Sequence, residues 1–335
     1  MNTTTPPIDF VITWVDDTDD DWRRLRDSYR SVPVDPEAVS EIRFRDWGLL
    51  RYWFRGVDLF APWVRKVFLV TENPVPSWLN TLHPKVEVVR HAQFIPAPYL
   101  PTFNSRAIEL NLHRLPGISE HFVYFNDDMF ITAPVTEDHF FYRAKPRAFA
   151  ISTTLSIGNN FHHAMLNNLE VLNRNFSKQK SFVQSWWNWL SLKYGAAALQ
   201  NLALLPWKRF TGFHNHHLPL PMLRSTAEHI WQVENETLSQ TSHSKFRSLS
   251  DVNPFLLVWW NICSGYFAPS SIKHYGKYLV HTEENLDTIT SAVSSGRYKM
   301  LCINDGDISD VDRARHELLA AFSSLLPEKS SFEID

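Results

Sequence analysis

Short apolar runs alternate with amphipathic segments through the first 130 residues. Residues 8–15, "IDFVITWV", are β-branched and aromatic and end on Asp16 and Asp17. That is the pattern of a buried strand delivering carboxylates at its carboxyl end. The acidic and basic stretch that follows, to about residue 43, reads as a loop. From Asp46 the apolar positions Leu50, Trp53, Phe54, Val57 and Phe60 recur at helical spacing until Pro62 stops them. "KVFLVT" (66–71) and "KVEVVR" (85–90) predict two more strands. Asn104 or Ser105 caps a helix through Ile108, Leu112 and Leu115 that Pro116 and Gly117 end, and "HFVYF" (121–125) is the fourth strand.

Strands alternating with helices imply βαβ units and a Rossmann-like α/β fold, a mostly parallel sheet flanked by helices, whose ligands collect outside the carboxyl ends of the strands. Two acidic pairs, Asp16 with Asp17 and Asp127 with Asp128, fall at such ends. Residues 160–207 are helical by pattern, with "QSWWNWLSLKYGAAALQNLALLPW" the most apolar portion. Asn188, Lys193 and Gln200 interrupt it, so it is no membrane span. It could lie against a membrane surface or cover an acceptor groove; a core helix is the plainer reading. A further helix starts near Pro254 with Asn253 as cap, and residues 310–326 form an amphipathic closing helix. With no repeat, low-complexity tract or linker, the expectation is one domain over 1–335: an α/β part (8–150), a helical insertion (151–210) and a C-terminal part (211–335) completing the site.

Composition narrows the function classes. The 335 residues are 44% hydrophobic, enough for a large core, and 33 basic against 36 acidic side chains give a net charge of -3. Such a balance offers no field for a polyanion, which argues against nucleic acid as a partner. The start lacks a cationic stretch followed by an apolar segment, and no run of eighteen apolar residues occurs, so a soluble, cytoplasmic protein is expected. Cys263 and Cys302 sit in apolar surroundings and read as buried, reduced thiols. The 13 tryptophans exceed the usual needs of a core, and such rings stack on sugars and bases.

Asn126, Asp127 and Asp128 form an oxygen-rich cluster suited to Mg²⁺, Mn²⁺ or Ca²⁺. The plainer alternative is a turn-capping Asp beside a solvated one. "INDG" (303–306) repeats the theme, although a turn explains those residues too. Glu109 and His113 are four apart on the expected helix and so able to pair. His214, His216 and His217 lie in a proline-stiffened loop without the cysteine or H-x-x-x-H partner that zinc favours; a neutral imidazole there suits a general base better. Arg247 offers a planar fork matching phosphate oxygens, or is an ordinary surface arginine.

Taken in order, "IDFVITWVDDTD", the long block from "RFRDWGLLRYWF" to "FVYFNDDMF", "HNHHLPLPMLRS" and "CINDG" resemble the four blocks of the Stealth family, and extend from residue 8 to 306. Its members are bacterial capsular and exopolysaccharide sugar-1-phosphate transferases, related to the animal GlcNAc-1-phosphotransferase. The resemblance implies a GT-A-like fold. The implied reaction moves hexose-1-phosphate from a UDP-hexose or UDP-HexNAc to a glycan hydroxyl, releasing UMP. By position, the essential acidic residues of the family fall on Glu109, Asp128 and Asp305, and its histidine and arginine on His217 and Arg247. We therefore expect Asp128 and Asp305, with Asp127, to hold Mg²⁺ or Mn²⁺, and Arg247 to hold the diphosphate. His217 would act as base with Glu109 positioning it, and Asp16 would contact the nucleotide. Many relatives have Gly where this chain has Asp17. Two other readings remain: a metal-dependent glycosyltransferase releasing UDP, which the same residues would serve, and a non-catalytic sugar-binding module, which would rest on the tryptophans and needs no convergence of Asp128, His217 and Arg247.

Overall fold

The structure, a computed structural model, describes residues 6–30, 44–271 and 275–334. Its strands are β1 (Ile8–Thr13), β2 (Val67–Val70), β3 (Val86–Val89), β4 (His121–Phe125), β5 (Met129–Ile131), β6 (Phe141–Tyr142), β7 (Lys145–Ala148), β8 (Leu220–Leu223), β9 (Ala268–Pro269), β10 (Lys277–His281) and β11 (Met300–Asp305). The principal sheet has the order β3-β2-β1-β4-β8. Its first four strands are mutually parallel, and β8 runs antiparallel to β4. The expected α/β sheet flanked by helices is the one observed. A parallel sheet covered on both faces reads as continuous apolar runs, and here Ile8, Phe10 and Ile12 of β1 join one core cluster while Val11, with Phe68 and Val70 of β2, joins the other. Asp9 breaks the run. It is fully buried, with its carboxylate accepting from both ends of the Arg65 guanidinium fork (2.8 and 2.5 Å) and from Ser119 N (2.6 Å).

Helices α1 (Asp20–Ser28), α2 (Leu50–Phe60) and α3 (Ser105–Asn111) precede β4. The first corrects the expectation of a loop: Asp19 caps it, accepting from Asp21 N and Trp22 N, and residues 31–43 of that stretch lie outside the described residues. α2 begins at Leu50, one turn after Asp46, ends at Phe60 before Pro62 as expected, and crosses β5 closely. A Cβ on Gly56 would stand 2.6 Å from Ile131 O, so only glycine permits the approach. β5 in turn pairs antiparallel with β11, which pairs parallel with β10. This second sheet carries the "INDG" segment as a strand end rather than a free turn.

The insertion holds α4 (Asn160–Asn175), α5 (Lys178–Gln184), α6 (Trp186–Trp189) and α7 (Ala198–Leu204), with a 3₁₀ segment kinked at Gly195 before α7. It is not the continuous core helix of the plainer reading. Trp189 and Asn201 are buried, while Trp186, Trp187 and Leu199 face solvent. Next come α8 (Arg224–Val233), α9 (Asn235–His243) and α10 (Phe255–Ser264), the last beginning one residue after its expected start at Pro254, with Asn253 Oδ1 accepting from Phe255 N. The helix Val311–Leu325 closes the chain as expected, with Asp310 as its N-cap.

Candidate active site

Outside the carboxyl ends of β1–β4 lies a cavity of about 960 Å³, lined by Thr13 and Trp14 at the end of β1, Glu72 and Asn73 after β2, His91 after β3, and Asn126 to Asp128 after β4. From β1 the chain steps outward to β2 and β3, then returns to place β4 on the other side of β1. Such a reversal of strand order opens a crevice at the strand ends.

The turn between β4 and β5 closes with Met129 N donating to Asn126 O (3.2 Å). Asp127 and Asp128 are its central residues. Ile303 N donates to Asp128 O (2.9 Å), which docks the start of the "INDG" segment beside the turn. Pairing of β8 with β4 carries the histidine loop to the same place. His217 Nε2 stands 3.4 Å from Asp128 Oδ2 and 3.4 Å from Asn126 Nδ2, and Cys302 donates its thiol to Asp128 Oδ2 at 3.3 Å. One ligand atom from each of Asp128, His217 and Cys302 lies within 4.8 Å of the others.

Charge in this group is uneven. Burial alone would raise Asp128, but the charge and hydrogen bond of His217 outweigh it and hold the carboxyl below its ordinary value. Burial would lower His217, yet Asp128 lifts it above its ordinary value. The depth of the cavity, then the charges of Asp128 and Asp46, push Asp127 well above the carboxylate range. Burial followed by the Asp128 charge does the same to the Cys302 thiol, so it is a neutral donor and no thiolate. Asp305, at the end of β11, pairs with Arg45 (3.2 Å); burial nevertheless raises it to about 6.

The opposite wall is the first turn of α3. Arg247 donates to the Ser105 hydroxyl at 2.8 Å. Its loop is stitched to α3 by Phe103 N donating to Lys245 O and by Asn104 Nδ2 donating to Asp251, both at 2.9 Å. Glu109 is buried and accepts from Tyr124 OH (3.0 Å), which also meets the Thr13 hydroxyl (3.1 Å). Burial raises Glu109 above its ordinary value against the pull of Arg247 and Tyr124.

Some expected placements change. Glu109 and His113 do not pair, because α3 gives way to a 3₁₀ turn at Leu112 and His113 Nδ1 faces Leu110 O (3.1 Å). Asp16 does not line the cavity; its carboxylate accepts from Thr18 N and Oγ1 (2.9 and 2.6 Å), while Asn73 clamps its backbone. Asp46 stands on the cavity wall instead. His214 bonds Gln200 (2.8 Å) and His216 packs edge-on against Phe149, so the three histidines form no common ligand set. Sequence reasoning also passes over Arg45 and reads Cys302 only as a buried thiol, although both lie inside motifs quoted above, "RFRDWG" and "CINDG". Tyr124 was hidden in an apolar run.

Whether a divalent cation fits is tested by the carboxylate itself. Asp128 spends Oδ2 on His217 and Cys302, and its Oδ1 is buried with no hydrogen-bond partner. A buried carboxylate oxygen without a partner is costly unless something of positive charge meets it. The oxygen donors nearby suit a hard cation, and the protonated Cys302 suits zinc poorly.

Comparison with known sequences gives the family. A capsular polysaccharide phosphotransferase WcwK of Streptococcus pneumoniae is 39% identical over 97% of this chain and 98% of its own length. The exopolysaccharide phosphotransferase cps2G of Lactiplantibacillus plantarum is 37% identical over 97% and 96%. The receptor polysaccharide phosphotransferase WefC of Streptococcus gordonii is 40% identical over 98% and 99%. The profiles described as Stealth protein conserved regions 1 and 2 match residues 6–31 and 43–149. The chain belongs to the Stealth family. Glu109, Asp127 and Asp128 fall within the second Stealth region, and His217, Arg247 and Asp305 within the span shared with the full-length relatives. Among solved structures, the apo form of the bifunctional glycosyltransferase WbbM overlays 97% of this chain and 52% of its own at 10% identity and a TM-score of 0.34, too distant to add to the strand order.

Proposed function

We propose that this protein transfers hexose-1-phosphate from a UDP-hexose or UDP-HexNAc to a glycan hydroxyl, releasing UMP, in the synthesis of a phosphodiester-linked capsular or exopolysaccharide. The observation that carries the reading is that Glu109, Asp128, His217, Arg247 and Asp305, scattered over almost 200 residues, all line one cavity. The names of the full-length relatives support phosphotransfer for that cavity.

Asp128, Asp127 and Asp305 would hold Mg²⁺ or Mn²⁺, which when bound neutralises charge on the diphosphate oxygens. The acceptor oxygen attacks the phosphorus that bears the sugar. A new P–O bond forms, the bond to the bridging oxygen breaks, and UMP leaves with that electron pair. Catalysis of this kind is mostly positioning and charge neutralisation. His217 is turned by Asp128 through Nε2, as a carboxylate fixes the ring of a general base. It receives the proton of the acceptor hydroxyl at its other nitrogen. Arg247, braced by Ser105, faces the diphosphate as a cation with a fixed fork. Glu109 sets the Tyr124 and Arg247 wall of the pocket, and its charge joins that of Asp128 in raising His217.

The leaving nucleotide tests the reading. Incubation with UDP-hexoses, a divalent cation and glycan acceptors is expected to release UMP, and His217→Ala to lower the rate by roughly 10²–10⁴-fold. Release of UDP in its place assigns the same cavity to glycosyl transfer. Retention of full turnover by both His217→Ala and Asp128→Ala removes the catalytic reading altogether.

A further inference from the structure

The helical insertion carries a feature that the reaction does not use. Among the described residues, the three exposed tryptophans, Trp186, Trp187 and Trp207, all lie on it, together with exposed Val183, Leu192 (97% accessible) and Leu199. The same segment has a small buried centre. Asn201 Nδ2 donates to Trp189 O (2.7 Å) and to Ala150 O (2.7 Å), and Lys178 Nζ donates to Leu204 O, which ties α5, α6 and α7 into one unit on the body of the protein. With their inward positions taken by Trp189, Tyr194 and Asn201, the remaining large apolar side chains point away from it. A water-facing surface rarely gathers apolar side chains so densely without an occupant.

The charge of the same segment is one-sided. Between Glu170 and Glu228 the chain has no Asp or Glu, although acidic residues outnumber basic ones overall. Lys180, Lys193, Lys208 and Arg209 on it are exposed. A second copy of this chain is a poor occupant, because a two-fold interface would set these cations against their own images. Exposed tryptophan and leucine interspersed with lysine along one segment are the composition of elements that rest in the headgroup region of a bilayer, where the indole is amphipathic and the cations meet lipid phosphate. No helix among the described residues is long and apolar enough to cross a membrane, so such an element lies on the surface.

We propose that the face formed by α5, α6, α7 and the segment to Arg209 docks the protein on an anionic lipid bilayer. Because Thr153, Leu155, Phe161 and His162 at the base of the insertion line the cavity, docking brings the cavity beside the bilayer. The inference does not depend on which nucleotide leaves.

Flotation of the full chain with vesicles tests it, using phosphatidylcholine alone and phosphatidylcholine mixed with phosphatidylglycerol. Binding is expected to the mixed vesicles only, to weaken with salt, and to shift tryptophan emission to the blue. Trp186→Ser with Trp187→Ser abolishes it. Lys193→Gln with Lys208→Gln lowers the partition coefficient roughly 25-fold, about fivefold per charge. All four positions are exposed, and an unchanged thermal transition verifies the fold. Failure to float with mixed vesicles overturns the proposal. So does equal binding to neutral vesicles, or binding that survives both variant pairs. A dimer that sediments as such and is lost in the tryptophan variant overturns it in favour of self-association.

Discussion

Gly306→Ala is a perturbation of one methyl group whose consequence can be worked from distances. Gly306 follows Asp305 where β11 leaves β10, and a Cβ there would stand 2.5 Å from His281 O and 3.2 Å from both Thr282 Cγ2 and Val280 Cγ1. Real Cβ atoms do not approach below 3.0 Å, so the strands must part by at least half an ångström. The nearest obstacle is backbone, which cannot swing aside as a flexible side chain would. Asp305 is adjacent in sequence and is paired in register with His281, so the shift is passed directly to its carboxylate and to the Arg45 contact. A misplacement of about 1 Å in a catalytic constellation costs about a hundredfold, so half that distance predicts a fall in kcat of roughly tenfold. Overpacking of this kind also destabilises by about 1–3 kcal/mol, a drop of several degrees in Tm for a chain of this size. The assay is nucleotide release under saturating donor, beside a thermal melt. A variant with parental kcat and parental Tm would show that the β10–β11 approach does not set the position of Asp305, and the reasoning fails.

Two further outcomes are accessible to simple measurements. Burial, followed by the charge of Arg114, lowers His113 from 6.5 to about 3, so its contribution to stability is complete above pH 6.5 and is lost as pH falls toward 3. Relative to His113→Asn, the parent should lose about 2 kcal/mol of unfolding free energy between about pH 7.5 and pH 5 in urea titrations; parallel curves would refute a buried neutral imidazole. Cys263 and Cys302 are fully buried with thiols held well above their ordinary value, chiefly by burial. A thiol reagent at pH 8 should therefore label both only on unfolding, and prompt labelling of one in the native protein would contradict the neutral Cys302 donor.

The four parallel strands of the principal sheet were legible because each writes a mostly apolar run, broken by Asp9 in β1 and Glu87 in β3, whereas the short β8, with Pro221 inside it, was not read as a strand. Helix α1 was not legible. Lying on the surface, "DDWRRLRDS" shows few apolar positions, and its one usable signal was Asp19 as a cap, two residues into an acidic cluster that reads as loop. The insertion failed in the opposite sense. Its apolar residues promised a core helix, but hydrophobicity alone does not say which side faces inward, and short helices broken by Gly195 leave half of the large side chains in water.

The site was legible only in pieces. Spacing could suggest that Glu109 and His113 share a helical face, but whether the helix continues through His113 depends on the 3₁₀ turn at Leu112, and the hydrogen-bond partner of Glu109 comes from the carboxyl end of β4. What unites the pieces is long-range pairing. Met129 of β5 is registered with Cys302 of β11, and Tyr124 of β4 with Leu220 of β8, and these two registers fix Asp128 between Cys302 and His217. Neither register is encoded in local periodicity, since a strand of three or four residues pairs equally well with many others. The resemblance between distant blocks supplied what periodicity could not, and it did so for a physical reason. A carboxylate with one oxygen engaged by an imidazole and a thiol, and the other buried and unpartnered, is unstable in isolation, so the segments that surround Asp128 must be present together for any one of them to be useful.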